Sequence, residues 1–305
     1  MANSSGLNRA GVLSRVTVAA ITAALVGTTT AAVAADAPQR SVTGAQQPAS
    51  NASAFAASTA AVTPQNALYG VNSAGTIYGY TPNGQGGLNL PTGNSGTGWN
   101  YSQHINQVDQ DGNGHSDGLF DVTGGVLYYT KWDNTPRRIG SGWGIYNKLV
   151  SVGSTGGAVA DDLLARDSAG VLWHYLGYGT GSLTTRTKVS AGWGGYNQLA
   201  GKGDLTSDGK ADMVARDGAG VLWLYKGTGN YKTPFTGRTK ISAGWGGYNA
   251  LVSVGDINYD GVTDLVARDG AGALWLYKGT GNASAPYYNR VKIGTGGWNG
   301  YKQLF

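Results

Sequence analysis

The sequence predicts an all-β fold: a five-bladed β-propeller of four-stranded antiparallel blades, closed by pairing the C-terminal strand with the N-terminal blade. Three observations predict it. First, one stretch is repeated. Trp245–Tyr277 reads WGGYNALVSVGDINYDGVTDLVARDGAGALWLY, and Trp193–Tyr225, Trp143–Tyr175 and a weaker Trp99–Thr130 carry the same text. The anchors Trp99, Trp143, Trp193, Trp245 and Trp298 are spaced 44, 50, 52 and 53 residues apart, a period that marks a repeat architecture. Second, the fifth copy is split. Trp298–Phe305 (WNGYKQLF) ends the chain, while Leu68–Tyr80 (LYGVNSAGTIYGY) aligns with Leu265–Tyr277. A repeat divided between the two termini suits a ring closed by its own ends. Third, there are 52 glycines among 305 residues and all 17 acids are Asp. That composition favours tight turns over helices.

The elements of a blade follow from the copy at Trp245. Ala250–Val254 is a short apolar strand, the inner strand a, and Asp256–Asp264 is a loop. Leu265–Arg268 is strand b, and Asp269–Gly272 is a tight turn. Ala273–Tyr277 is strand c, with Trp275 and Tyr277 on one face and Leu274 and Leu276 on the other. Lys278–Asn282 turns the chain, and Arg290–Ile293 is strand d, leading through Gly296, Gly297 and Trp298 into the next blade. The propeller is expected over residues 66–305.

Residues 1–35 read as a secretory signal. Arg9 and Arg15 form a basic region, Val16–Val26 an apolar run, and Ala32–Ala35 offer small residues for cleavage. Residues 36–65, rich in Ala, Ser, Thr, Gln and Pro, read as a disordered linker. The mature chain is therefore expected to be secreted, with no membrane span after signal cleavage. Without cysteine, neither a disulfide framework nor a thiolate metal site is available. The net charge of +5 includes both leader arginines, which is too weak a balance to argue for a nucleic-acid partner.

Three loops share the text D-x-[DNT]-x-[DN]-G-x-x-D. Their side-chain oxygens are Asp109, Asp111, Asn113 and Asp117; Asp204, Thr206, Asp208 and Asp212; and Asp256, Asn258, Asp260 and Asp264. Oxygens at positions 1, 3, 5 and 9 around a Gly at position 6 suit a hard cation, so up to three Ca²⁺ sites are expected, clamping strand a to strand b. The alternative is an Asp-Gly turn whose carboxylates accept backbone N–H bonds. The loop at Ser154–Asp162 lacks the ligand residues.

Strand alternation places the WGGYN linkers and the ARDGAG turns on one face. That face carries Trp143, Tyr146 and Asn147 with Arg166 and Asp167; Trp193, Tyr196 and Asn197 with Arg216 and Asp217; and Trp245, Tyr248 and Asn249 with Arg268 and Asp269. An aromatic beside Asp, Asn and Arg suits a sugar, whose C–H face stacks while its hydroxyls hydrogen-bond. The competing reading makes each Trp a plug between blades and each Arg-Asp a structural pair. Outside the loops, the carboxylates left for catalysis include Asp121, Asp133, Asp161, Asp167, Asp217 and Asp269. Neither Glu nor a Ser-His-Asp spacing is present, so no enzyme is expected.

The D-x-D-x-D-G-x-x-D loop followed by LVARD and GxLWLY resembles bacterial FG-GAP/VCBS repeats, which form calcium-binding propeller blades. The split blade is similar to five-bladed lectins of the tachylectin-2 type, which bind N-acetylated amino sugars between blades. The resemblance implies a carbohydrate-binding protein whose partners are cell-surface or polymeric glycans, raised in avidity by several equivalent sites. By analogy it also implies further secreted proteins of a toxin or adhesion assembly. A protein-docking propeller without sugar binding is the alternative.

Overall fold

Residues 40–44 and 62–305 are described by the computed structural model. The predicted signal, and residues 36–39 and 45–61 of the predicted linker, lie outside the described residues. Blade 1 is the sheet β3 (Ser102–Val108), β4 (Gly118–Thr123), β5 (Val126–Lys131) and β6 (Arg137–Ser141). Blade 2 is β7 (Tyr146–Gly153), β8 (Asp162–Asp167), β9 (Leu172–Tyr175) and β10 (Thr187–Ser190). Blade 3 is β11 (Tyr196–Ala200), β12 (Met213–Asp217), β13 (Leu222–Tyr225) and β14 (Thr239–Ser242). Blade 4 is β15 (Tyr248–Gly255), β16 (Asp264–Asp269), β17 (Leu274–Tyr277) and β18 (Val291–Gly294). Blade 5 joins the termini: β19 (Tyr301–Leu304) pairs with β1 (Leu68–Asn72), which pairs with β2 (Ile77–Tyr80).

The C-terminal strand thus closes the ring as the split repeat predicts. Tyr69 and Phe305 exchange backbone hydrogen bonds of 2.9 and 3.0 Å. Blade 5 has three named strands rather than four. In place of its strand d, Ser95–Thr97 bonds β2 through the isolated bridge at Ile77 and Gly96.

Alternation along each strand builds the core. Leu274 and Leu276 are fully buried, while Trp275 and Tyr277 are half-buried at the blade flank. Apolar side chains from adjoining blades form clusters between them; Val152, Leu164 and Leu172 of blade 2 pack with Trp193, Met213 and Ala215 of blade 3. The linkers that read as plain connections are 3-10 turns at Trp143–Ile145, Trp193–Gly195, Trp245–Gly247 and Trp298–Gly300. Each follows a glycine in the left-handed region, as at Gly192 (φ 94°), a conformation glycine adopts without a Cβ penalty. The Trp N–H then bonds back to the b–c turn, as Trp193 does to Gly170 O at 2.9 Å.

The linker assignment for 36–65 is corrected at both described ends. Ser41 N–H donates to Thr97 O (3.2 Å) and Thr43 N–H to Ser95 O (2.6 Å), so this arm extends the edge of blade 5. Val42 is buried beside Trp99 and Ile77. Arg40 ion-pairs with Asp121 of blade 1; both side chains are essentially inaccessible (1% and 0%). At the other end, Pro64 O accepts from Asp256 N–H (2.7 Å), Gln65 N–H donates to Gly114 O (2.9 Å), and Asn66 N–H donates to Val254 O (2.9 Å). This strap links blades 1 and 4. It lies so close that a Cβ at Gly255 would sit 1.8 Å from Pro64 O. Composition argues against burial only on average; a single Arg or Val finds its partner in the ring.

Candidate functional site

The three metal-type loops share one backbone form. In the first, Asp109 Oδ1 accepts from Asp111 and Gly112 N–H (3.1 and 2.7 Å), and Oδ2 from Gly114 N–H (2.7 Å). Asp204 accepts from Thr206 and Gly209 N–H, and Asp256 from Asp260 and Gly261 N–H. Position 4 is left-handed in all three, at Gly112 (φ 75°), Ser207 (φ 58°) and Tyr259 (φ 60°). A side chain there is uncommon and the motif did not foretell it. Position 9 ties the loop to its blade: Asp212 accepts from Leu205 and Gly227 N–H, and Asp264 from Ile257 and Gly279 N–H.

The residues fit a calcium ion on two observations. One ligand oxygen each from Asp109, Asp111 and Asp117 lies within 4.8 Å of the others. In the other loops the position-3 oxygens, Thr206 Oγ1 and Asn258 Oδ1, are buried without a hydrogen-bond partner, an arrangement that costs free energy unless something else ligates them. Those two loops are less convergent. Asp208 turns to Lys226 Nζ (3.1 Å), and Asp260 accepts from Asn258 Nδ2 (2.7 Å). Burial raises the carboxyl groups of Asp109 and Asp256, and pushes Asp212 up to about 6 and Asp264 up to about 7. In blade 2 the corresponding Asp162 keeps the same two backbone bonds, from Thr155 and Gly177 N–H, and also accepts from Thr155 Oγ1 (2.6 Å) and lies 3.2 Å from His174 Nε2. His174 takes the position of Leu224 and Leu276 in the next two blades.

The aromatic face differs from its sequence reading. Trp143, Trp193 and Trp245 are 7%, 4% and 4% exposed, and Tyr146, Tyr196 and Tyr248 are each 5% exposed. These are plugs between blades, not open stacking platforms. Trp245 packs on Tyr277 at 4.4 Å between ring centres, and Tyr248 and Tyr277 share a hydroxyl hydrogen bond of 2.7 Å. Nor are Arg and Asp paired with one another. Arg216 donates Nε–H to Asn197 Oδ1 (2.7 Å) and Nη1–H to Trp245 O (3.0 Å) and Tyr248 O, stapling blade 3 to the start of blade 4. Arg166 does the same with Asn147, Trp193 and Tyr196, and Arg268 with Asn249, Trp298 and Tyr301. Asp167, Asp217 and Asp269 accept from the indoles of Trp173, Trp223 and Trp275 (2.8, 2.8 and 2.7 Å) and from their own turns. These bonds hold all three carboxyls below the usual range, the indole bond foremost.

An accessible aromatic site does lie between blades, one step along the chain from the predicted one. A cleft of about 450 Å³ runs between Ile241 and Ser242 of β14 and the segment Ser284–Arg290 that enters β18. Trp245 and Tyr277 form its back wall and Tyr287 one side. Tyr288 is 60% exposed at the lip, and Asn289 and Arg290 bring polar groups beside it. Arg290 stacks on Trp275, 4.1 Å from the ring centre. Residues at the place of Tyr288 are Thr184 in blade 2 and Thr236 in blade 3, each donating the same backbone bond into its c-strand exit. The repeat text varies most in this segment, which is why the sequence passed over it; the YYN triplet before Arg290, absent from the other copies, was the available signal.

A second concavity follows the ring axis. The inner strands β3, β7, β11, β15 and β19 enclose a cavity of about 340 Å³. Asn66 of the strap lines its floor, with Lys202, which is buried against Asp161. The opposite rim carries Gln103, Asn249 and Lys302, all exposed.

The strands define a five-bladed β-propeller, three of whose blades carry an Asp-rich loop between their first two strands. Residues 204–267, from the loop of blade 3 into β16 of blade 4, match the FG-GAP-like repeat family. A solved structure described by the de novo evolutionary emergence of a symmetrical protein shaped by folding constraints is 16% identical, with 78% of this chain and 97% of that chain covered and a TM-score of 0.53; it shares the fold. A mutant of AofleA from Arthrobotrys oligospora is 11% identical over 80% of this chain and 76% of that chain, with a TM-score of 0.42. No curated protein matches the chain.

Proposed function

We propose that the protein is a secreted, calcium-stabilised, lectin-like propeller that binds glycans bearing N-acetylated amino sugars between its blades. The observation that carries the reading is the cleft at Ser242, Tyr287, Tyr288, Asn289 and Arg290. It sets an exposed aromatic ring beside an amide and a guanidinium on a rigid wall, and its volume falls in the range of about 300–1,000 Å³ usual for small-ligand sites. A pyranose stacks its C–H face on Tyr288 while Asn289 and Ser242 meet its hydroxyl and acetamido groups. The corresponding clefts of blades 2 and 3 replace Tyr288 with Thr, so the blade 4 cleft binds most tightly. Calcium acts on the fold rather than on the sugar, because the ligand loops tie strand a to strand b within a blade and none of their residues lines the cleft.

A glycan array with the chain beginning at Asp36, in calcium and in chelator, tests the proposal. Retention on amino-sugar glycans that Tyr288→Ala removes supports it. No retention by folded protein, or retention indifferent to Tyr288→Ala, refutes it and moves the reading to a protein partner.

A further inference from the structure

The axial cavity is lined by charge of one sign. Three lysines and an arginine line it, Lys148, Lys202, Lys302 and Arg268, together with the imidazole of His104, whose pKa burial lowers, and no carboxylate does. Lys202 is neutralised at the floor by Asp161. The other three belong to the open end. Lys302 Nζ donates to Trp99 O (3.2 Å) and Asn100 O, and Arg268 to Trp298 O and Tyr301 O (2.8 and 2.7 Å), so both are held by carbonyls and keep their charge unbalanced. Lys148 is half-buried and, among the described residues, has neither an ion-pair nor a hydrogen-bond partner. A lysine drawn partly out of water without an acceptor is an unmet cost.

We infer that the axial cavity binds an acidic monosaccharide, a hexuronate, with its carboxylate on Lys148 at the open rim. A carboxylate there gains a charge-assisted hydrogen bond, the stronger kind, in a cleft whose summed field favours anions. Around Lys148 the rim offers amides, Gln103, Gln198 and Gln303, which can donate to and accept from ring hydroxyls. Beneath them the half-buried Leu149 and Leu304 offer apolar edges to the C–H face, while Leu199 and Leu251 close the wall from within the inter-blade core. The volume of about 340 Å³ admits one ring and not an oligosaccharide, so a terminal or free uronate is the ligand. Burial, helped by the nearby cations Arg166 and Arg216, lowers the pKa of Lys148; a bound anion relieves both effects. The site is separate from the blade 4 cleft and does not depend on sugar binding there.

The test is calorimetric titration of the chain beginning at Asp36, in saturating calcium, with glucuronate, glucose and sulfate as probes. Glucuronate is expected to bind one per chain, at least tenfold more tightly than glucose or sulfate. Lys148→Met, at a half-buried position with no partner to orphan, is expected to weaken it at least tenfold with an unchanged melting temperature. Tyr288→Ala is expected to leave it unchanged. Equal binding of glucose removes the role of the carboxylate, and equal binding of sulfate removes that of the sugar. Indifference to Lys148→Met removes the site, and loss on Tyr288→Ala places the uronate in the blade cleft. Each of those four results overturns the inference.

Discussion

Arg40 lies in a stretch with no repeat text, yet its buried side chain ties the arm to blade 1. Its Nη1 donates to Asp121, to Ser102 Oγ at 3.1 Å and to Thr123 Oγ1 at 2.8 Å, and its guanidinium carbon lies 4.8 and 5.0 Å from the ring centres of Trp99 and Tyr128. Arg40→Met removes the cation and leaves the Asp121 carboxylate buried and short of its main partner. Burial already pushes that carboxyl up to about 6 against the pull of Arg40. Breaking one side of a fully buried pair costs about 3–5 kcal/mol, which at a slope of about 2–3 kcal/mol/M moves a urea midpoint down by roughly 1–2.5 M. The β4–β5 register shows what the position otherwise holds: Asp121 faces Tyr128 as Ala165, Ala215 and Ala267 face Trp173, Trp223 and Trp275. The double variant Arg40→Met, Asp121→Ala therefore recovers most of the loss, since it restores the residue of the other blades and leaves no charge behind. Urea unfolding of the wild type, both single variants and the double variant decides the matter. A cost below about 1 kcal/mol for Arg40→Met, the size of an exposed pair, or strictly additive single losses, would refute the arm as an integral part of the ring.

Two further outcomes follow from the same structure. Trp245→Ala empties a volume between blades 3 and 4 and costs about 3–5 kcal/mol in chemical unfolding; a stable, folded variant would reinstate Trp245 as an open platform. In chelator, Asp212 and Asp264 bind protons more tightly in the folded chain than in the unfolded one, because their folded values stand at about 6 and about 7 against an ordinary 3.8. The stability tied to these groups is therefore greatest in acid and declines as pH rises from about 4 to about 7, and calcium, which takes the place of the proton, adds most at the upper end. Thermal unfolding at the two ends of that window, with calcium and with chelator, reads the effect; a calcium increment larger in acid would contradict it.

What was legible in the sequence is what repetition makes legible. Trp298–Phe305 and Leu68–Tyr80 are halves of one text, and that alone placed β19 against β1. The oxygen spacing located the three loops because it records local geometry. The aromatic face was misread for a physical reason: the pattern WGGYN beside ARDG is the same whether Trp points outward or into the gap, and only the fold, which brings Tyr277 of the same repeat over Trp245 and sets Leu222 and Leu224 of the neighbouring blade in its cluster, decides between them. Arg216 and Asp217 look like a pair because they are adjacent, yet adjacent strand residues face opposite sides, so each finds a different partner. Tyr288 and Arg40 were missed because they fall where the copies diverge. In both cases the divergence was the clue: an Asp at a position that is Ala in three copies calls for a cation, and a Tyr where the others have Thr marks one cleft as different.

A crystal structure of the calcium-loaded chain grown with N-acetylglucosamine is the most direct test of the amino-sugar site proposed between blades 3 and 4. Sugar density stacked on Tyr288, with the acetamido group toward Asn289 and Ser242, is the expected result. A saturating sugar that leaves this cleft filled only with solvent, or that binds elsewhere on the ring, would contradict it.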